Sequence, residues 1–360
     1  MGRIGRLLTV SAMTAGVIVA TPMIASAAPS VTVTPGHSIQ AAIDSAAPGT
    51  TINVKAGTYH ENLFIQKNGI KLAGDHATLD PPNSPTNNLC VDNSGPSPSY
   101  PGICVVGQVD GDFNVLSQTK NVTISGFTIE EYPAEGIFAY GVKAFSVVNN
   151  TLRKNGGYGV FSLQSEDITY KSNRSAHNGD AGFYIGESPN ADVVVTNNTS
   201  SSNLGEGILF RDSRGGVISG NTFEENCIGA LLLDTAAPVD GGKVTLSNNL
   251  IQDNNNFCPA TDDGPAHGGM GVGIGGDDHT TVKNNTIKDN VEQPNSDLPG
   301  GGIVLLDTSG FGGRPPNNNN IVGNKVHDNQ PLDILDDGSG SGNTYSGNVC
   351  NTSNNGACGV

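Results

Sequence analysis

Asparagine recurs along this chain at near-constant intervals: Asn150, Asn173, Asn198, Asn221, Asn249, Asn285, Asn324 and Asn348, the first four spaced 23, 25 and 23 residues apart. Each of the first seven is followed five residues later by another: Asn155, Asn178, Asn203, Asn226, Asn254, Asn290 and Asn329. A fixed period of this length is the signature of a solenoid. Within each period the texture is short β-branched runs, such as VTI at 122–124, VVVT at 193–196 and VTL at 244–246, broken by Asn, Gly and Ser. Such a period is strand and turn, with no room for a helix in each repeat. The pattern predicts a coil of three short strands per turn, with equivalent residues stacked about 4.8 Å apart through parallel ladders. Asn suits the corners because it tolerates left-handed backbone and its amide can bond along its own stack. With 49 Gly, no Trp and 14% charged residues, the composition fits a turn-dense β solenoid.

Arg3 and Arg6 precede an apolar run, Leu7 to Ala20, and Ala25-Ser26-Ala27 follows as a small-residue cleavage site, so residues 1–27 read as a signal peptide. Removing them deletes two positive charges and no acid, taking the formal charge from −16 to −18. No second apolar stretch is long enough to span a bilayer, so a secreted, extracellular protein without a membrane span is expected. The acidity argues against nucleic acid or an anionic membrane as partner. It leaves neutral glycans open, whereas a polyanionic glycan needs local basic groups or a bridging cation. A monomer is expected.

Export permits disulfides. Cys90 lies within and Cys104 just after a Pro-rich excursion from Pro81 to Pro101, whose base they would staple, Cys227 and Cys258 fall just after the second Asn of adjacent rungs, and Cys350 and Cys358 lie at the last turn. These three pairs are the expected bonds. The remaining boundaries are an N-terminal cap with first strands at 28–75, the Pro-rich insertion with early rungs at 76–120, and repeated rungs from 121 to 360. In the cap, Ser38 to Ala47 reads as a short amphipathic helix with Ile39 and Ile43 on one face and a Pro48-Gly49 stop. A solenoid end exposes strand edges and open core, so a cap is physically required.

The opening PGHSIQAAIDSAAPGTTINVKAGTYHENLFI resembles the N-terminus of right-handed parallel β-helix proteins, including pectinesterases, pectate lyase-like and NosD-like secreted proteins. Units such as GNTFEENCIGALLL are similar to their generic repeats. The resemblance implies an all-β, right-handed parallel β-helix, a three-sheet solenoid with a short N-terminal capping helix. It is specific for fold and weak for activity, since such folds carry lyases, hydrolases, esterases, epimerases and non-enzymes. The catalytic motifs of pectinesterases, pectate lyases and mannuronan epimerases have no match here, and Gly313-Arg314-Pro315 is an isolated fragment.

Aligning rungs on the Gly that opens one strand gives GIFAYGV (136–142), GVFSLQS (159–165), GFYIGES (182–188), GILFRDS (207–213), GALLLDT (229–235) and GIVLLDT (302–308). The first and third residues after the Gly are mostly apolar and should face the core, stacking Ile137, Val160, Ile208 and Ile303. Leu152, Phe223, Ile251, Ile287 and Val326, two after the ladder Asn, should form a second inward stack. The second residue after the Gly then faces outward, yet reads Phe138, Phe161, Tyr184, Leu209, Leu231 and Val304. An outward apolar strip is either covered or binds something. Insertions at 235–243, 255–270, 291–301 and 309–317 could cover it. Alternatively they wall a groove in which Phe161 and Tyr184 stack on sugars, with Leu209 and Asp234 in the binding surface.

The fifth position reads Gln164, Glu187, Asp212, Asp234 and later Asp307. Carboxylates stacked about 5 Å apart cost about 0.8 kcal/mol per pair even in water. A cation, a shared proton or side chains turned apart to cap the corner relieves that. Arg211 could grip a uronate carboxylate, and with Glu187, Asp212 and a base, Tyr184 or His177, it would make the catalytic group of a lyase or epimerase. Asp262, Asp263 and His267 on the long loop form a candidate cation site for which calcium is the suited ion. Asp277, Asp278 and His279 end the strand that follows. Two function classes stand: a polysaccharide-acting enzyme of lyase or epimerase type, and a non-catalytic glycan- or surface-binding β-helix.

Overall fold

The computed structural model describes residues 28–235, 240–261 and 264–358. The expected signal peptide, with residues 236–239, Asp262, Asp263 and the last two residues, lies outside them. The chain winds as a three-sided parallel coil. One side is a ten-stranded parallel sheet whose central strands are Ile137–Tyr140, Val160–Leu163, Phe183–Gly186, Glu206–Arg211 and Ile228–Leu233. The other two sides are strips such as Val142–Val148 and Thr151–Arg153. Lys71–Asp80 and Thr123–Glu130 run through the corner between the strips and join them into one bent 21-stranded sheet.

The inward register is as the pattern predicts. Ile137, Val160, Phe183, Ile208, Ala230, Val272 and Ile303 pair in succession and are fully buried. Leu152, Phe223, Ile251, Ile287 and Val326 stack the same way on the second strip, with Ser175 and Ser200 between the first two. One rung escaped the sequence alignment. Met270–Gly275 is a strand although glycine holds both of its central outward positions. Met270 bends over Gly273, where a Cβ would stand 2.6 Å from its sulfur.

The corners divide their labour. The left-handed residue is the one before each ladder Asn: Asn149, Ser172, Asn197, Asn248 and Asn284 lie at φ 54 to 56°. The ladder Asn does the bonding. Each donates its backbone N–H and its Nδ2 to the Oδ1 of the Asn one rung on, as Asn173 does to Asn198 at 2.8 and 3.0 Å. The second ladder runs likewise from Asn155 and ends where Asn329 donates to Asp333 Oδ1 at 3.2 and 3.1 Å. A third corner carries serines: Val142 N–H donates to Ser165, Ser165 to Ser188 and Ser188 to Ser213.

The N-terminal end is closed by the helix Ile39–Ser45, with Ile39 and Ile43 buried on the coil. Its first turn is held by Ser38 and by Glu61, which accepts the N–H groups of Ile39 and Gln40 at 2.8 and 2.9 Å. All three expected disulfides are formed.

Candidate glycan-binding face

The ten-stranded sheet turns two rows of side chains outward. The second residues after the opening glycines run Cys104, Phe138, Phe161, Tyr184, Leu209 and Leu231; the fourth run Val106, Tyr140, Leu163, Gly186, Arg211 and Leu233. Over the early rungs these rows floor a cleft of 670 Å³, with Phe138, Tyr140 and Leu163 at its base and Glu135 at one edge. Its walls are the Pro-rich excursion, through Leu89 to Asp92, and the hairpin whose tip is Phe113. Cys90–Cys104 pins the first wall to the floor strand. The Tyr140 hydroxyl pins the second by donating to the Phe113 carbonyl at 2.6 Å.

The walls therefore differ from those expected. Insertions 255–270 and 291–301 cover the later rungs instead, where Leu209 and Leu231 are mostly buried and Val304 fully so, in one cluster with Met270 and Leu298. Coverage holds for the far half of the strip, and the opening lies toward the N-terminal end.

From the cleft an aromatic row continues along the coil axis. Phe138 and Phe161 stack at 5.4 Å between centroids, Phe161 and Tyr184 at 4.5 Å, with planes within 6°. Tyr158 tilts against both Phe161 and Tyr184. Tyr184 was expected to offer a ring face to a sugar, and its surroundings leave none. It is 7% exposed, Phe161 occupies one face and its register partner in the next strand is Leu209. Its ring lies across Gly186, where a Cβ would come within 2.3 Å of Cε1. Burial pushes the Tyr184 hydroxyl up to about 12, so it is protonated at neutral pH.

The residue before each opening glycine supplies a third row, which an alignment reading forward from that glycine passes over: Glu135, Tyr158, Ala181, Glu206. Burial pushes the carboxyls of Glu135 and Glu206 up. Tyr158 hydrogen-bonds Asp180, and burial beside that carboxylate raises its hydroxyl far above the ordinary value. Glu206 Oε1 lies 3.8 Å from Nε2 of His267, a buried nitrogen without a hydrogen-bond partner. His267 arrives on a hairpin fixed by Cys227–Cys258, by paired backbone bonds between Cys258 and His267, and by Asp297 accepting the Ala266 N–H. The loop was expected to gather Asp262, Asp263 and His267 around a cation. The two aspartates lie outside the described residues, and His267 meets Glu206 while its Nδ1 lies 2.9 Å from the Pro265 carbonyl.

The expected carboxylate stack is dispersed at the corner. Glu187 and Asp212 are themselves left-handed corner residues, at φ 48 and 47°, as is Gln164. Gln164 donates to Glu187 at 3.2 Å. Asp212, 2% exposed, takes the N–H and hydroxyl of Thr235, both at 2.6 Å. Asp234 is fully buried and takes Arg314 Nε at 2.8 Å and the Gly241 N–H at 2.9 Å. Asp212 and Asp234 thus fasten corners and loops, with their oxygens turned to protein donors, rather than line the binding surface. The isolated Gly313-Arg314-Pro315 fragment is the arm that holds Asp234. Arg211 remains outward, its Nε 3.3 Å from Asp212. His177 is an exposed left-handed residue at another corner, away from this sheet.

Comparison with known proteins agrees with the coil architecture. The family model for the right-handed β-helix region matches residues 45–188 and 135–310. The chain belongs to the right-handed β-helix family. Among solved structures it is similar to the A-module of the Azotobacter vinelandii mannuronan C-5 epimerase AlgE4, at 17% identity and a TM-score of 0.59, covering 87% of this chain and 92% of that one. It is similar to the periplasmic alginate epimerase AlgG at 15% identity and a TM-score of 0.54, covering 88% and 83%. The catalytic domain of a GH87 α-1,3-glucanase, in complex with tetrasaccharides, matches at 14% identity and a TM-score of 0.58, covering 92% and 66%. No curated protein is close enough in sequence to count as a relative. At these identities the likeness establishes the fold. Among the described residues no helix is long and apolar enough to cross a membrane.

Proposed function

We propose that this β-helix is a secreted protein that binds an extracellular polysaccharide on the outward face of its ten-stranded sheet. The observation that carries the reading is the 670 Å³ cleft over Phe138, Tyr140 and Leu163. An apolar cleft with a few convergent polar groups is the usual form of a ligand site. The aromatic row extends it along the axis, the direction in which an extended glycan would lie. Polysaccharide-acting neighbours and three disulfides are compatible with the reading and with export.

Phe138→Ala and Leu163→Ala should each weaken retention on a responsive polysaccharide by up to about tenfold, the size of one lost aromatic or aliphatic contact. Melting temperatures should change little, because both side chains lie outside the core. If both variants bind as the parent does, the cleft is not the site.

A catalytic form of the reading has its own observation. At the end of the aromatic row Glu206 lies 3.8 Å from His267 and Tyr158 bonds Asp180, and buried groups with displaced proton affinities are typical of acid–base centres. The lyase or epimerase version needs a cation to neutralise a uronate, a role for which this face offers Arg211. Glu206→Gln that abolishes turnover while leaving retention intact would support catalysis; a screen for new reducing or unsaturated ends that stays blank leaves binding as the function.

A further inference from the structure

The charge on this face bears on the class of glycan, an inference that rests on the binding reading above. Among the described residues, the ten strands of the sheet contain one arginine or lysine, Arg211, and it lies 3.3 Å from Asp212. The side chains lining the cleft include Asp92 and Glu135 and no Lys or Arg. Beyond the cleft, Asp180 and Glu206 continue the acidic character to the far end of the row, with Glu187 at its edge. Several cationic side chains elsewhere on the coil are paired with acids, as Lys143 is with Glu166, Arg153 with Glu130 and Arg314 with Asp234.

A polyuronate carries a carboxylate on every sugar. Laid along this row it would set like charges against one another inside a cleft whose low-dielectric walls focus the field. A bridging divalent cation would relieve that only where donors converge, and among the described residues no group of three or more His, Cys, Asp or Glu side chains does so. Hydroxyl-bearing neutral sugars meet no such penalty.

We infer that the polysaccharide taken by this face is uncharged, and that polyuronates are excluded from it. The fold is shared with enzymes named for mannuronan, but the sheet of this chain offers such a polymer a single cation, Arg211, already beside Asp212.

The test is affinity electrophoresis of the full chain through gels containing a neutral β-glucan, a neutral α-glucan, alginate, polygalacturonate or chitosan, with and without calcium and at low and high salt. Retardation by a neutral glucan, insensitive to salt and reduced in Phe138→Ala, is the expected result, with polyuronates held at least about tenfold more weakly. Stronger retardation by alginate or polygalacturonate, with or without calcium, overturns the inference while leaving the binding reading standing. Salt-sensitive preference for chitosan overturns it in the same way. Failure of every polymer to retard the chain overturns the binding reading itself, and the inference falls with it.

Discussion

The Asn ladder can be tested at a single side chain. Asn198 accepts the backbone N–H of Asn173 at 2.8 Å and its Nδ2 at 3.0 Å, and donates its own Nδ2 to Tyr170 O at 2.9 Å and Asn221 Oδ1 at 3.0 Å. All of these groups are buried. Asn198→Ala orphans the Asn173 N–H, worth about 1–3 kcal/mol, and removes three further bonds of about 1 kcal/mol each, a total of about 4–6 kcal/mol. Asn198→Asp keeps the acceptor but puts a second oxygen where the amide nitrogen stood, facing two acceptors. It should therefore be worse than alanine at neutral pH, because an unpaired buried carboxylate costs more than a missing group. Its pKa would rise in the folded state, so the stability is present in acid and lost as pH climbs through the raised value. Urea melts of parent, Ala, Asp and an exposed control, Val194→Ala, read this out across pH, and hydrogen exchange at the Asn173 amide localises it. A loss under about 1 kcal/mol for Ala, or an Asp variant indifferent to pH, would refute the ladder as a source of stability.

Three further expectations follow from buried groups. Asp277 is fully buried with Oδ1 unpartnered and Thr280 on Oδ2 at 2.9 Å, and desolvation with Asp234 and Asp278 nearby, only partly offset by Thr280 and Arg214, pushes it up to about 8. Its folded value lies above its unfolded one, so stability should fall as pH rises from about 4 to 8, and Asp277→Asn should flatten that slope in thermal melts taken across the range. Gly186→Val must displace the Tyr184 ring, so it should disturb glycan retention while the inward face of the same strand, Phe183 and Ile185, keeps the melting temperature within a few degrees. Replacing Cys227 and Cys258 together by serine opens a loop of sequence separation 31 and should cost about 3–4 kcal/mol on chain entropy, with hydrogen exchange rising first around His267.

The coil was legible because its instructions are local and repeated. A buried stack needs an apolar residue at a fixed offset from each corner, and Ile137 and Phe223 announced theirs. The third corner was half legible: Glu187 and Asp212 were placed in one column, but which oxygen meets which donor depends on Thr235, a rung away. Asp234 depends on Arg314, a partner 80 residues further along, and no period announces such a pairing. The cleft was misplaced because covering power belongs to loops, whose paths the repeat does not set. Leu298 folds onto the later rungs, while the Pro-rich excursion forms a wall of the cleft. Met270–Gly275 was overlooked because its outward positions are empty, and a strand whose neighbour folds over it needs no side chains there.

The ladders also have a direction. Each ladder Asn from Asn150 to Asn324 gives its backbone N–H and an amide hydrogen to the Oδ1 of the rung that follows, while its Nδ2 also donates to a carbonyl of the rung before. A turn of coil is therefore incomplete until its successor arrives, and the two ends of the molecule are unlike. The first ladder opens where Asn150 takes the Phe127 N–H and closes where Asn324 donates to Asn348; the second closes where Asn329 donates to Asp333. A chain emerging N-terminus first is completed turn by turn in the order of its emergence. The reach of any face along the coil therefore grows by one strand spacing, about 4.8 Å, with each rung the ladder adds.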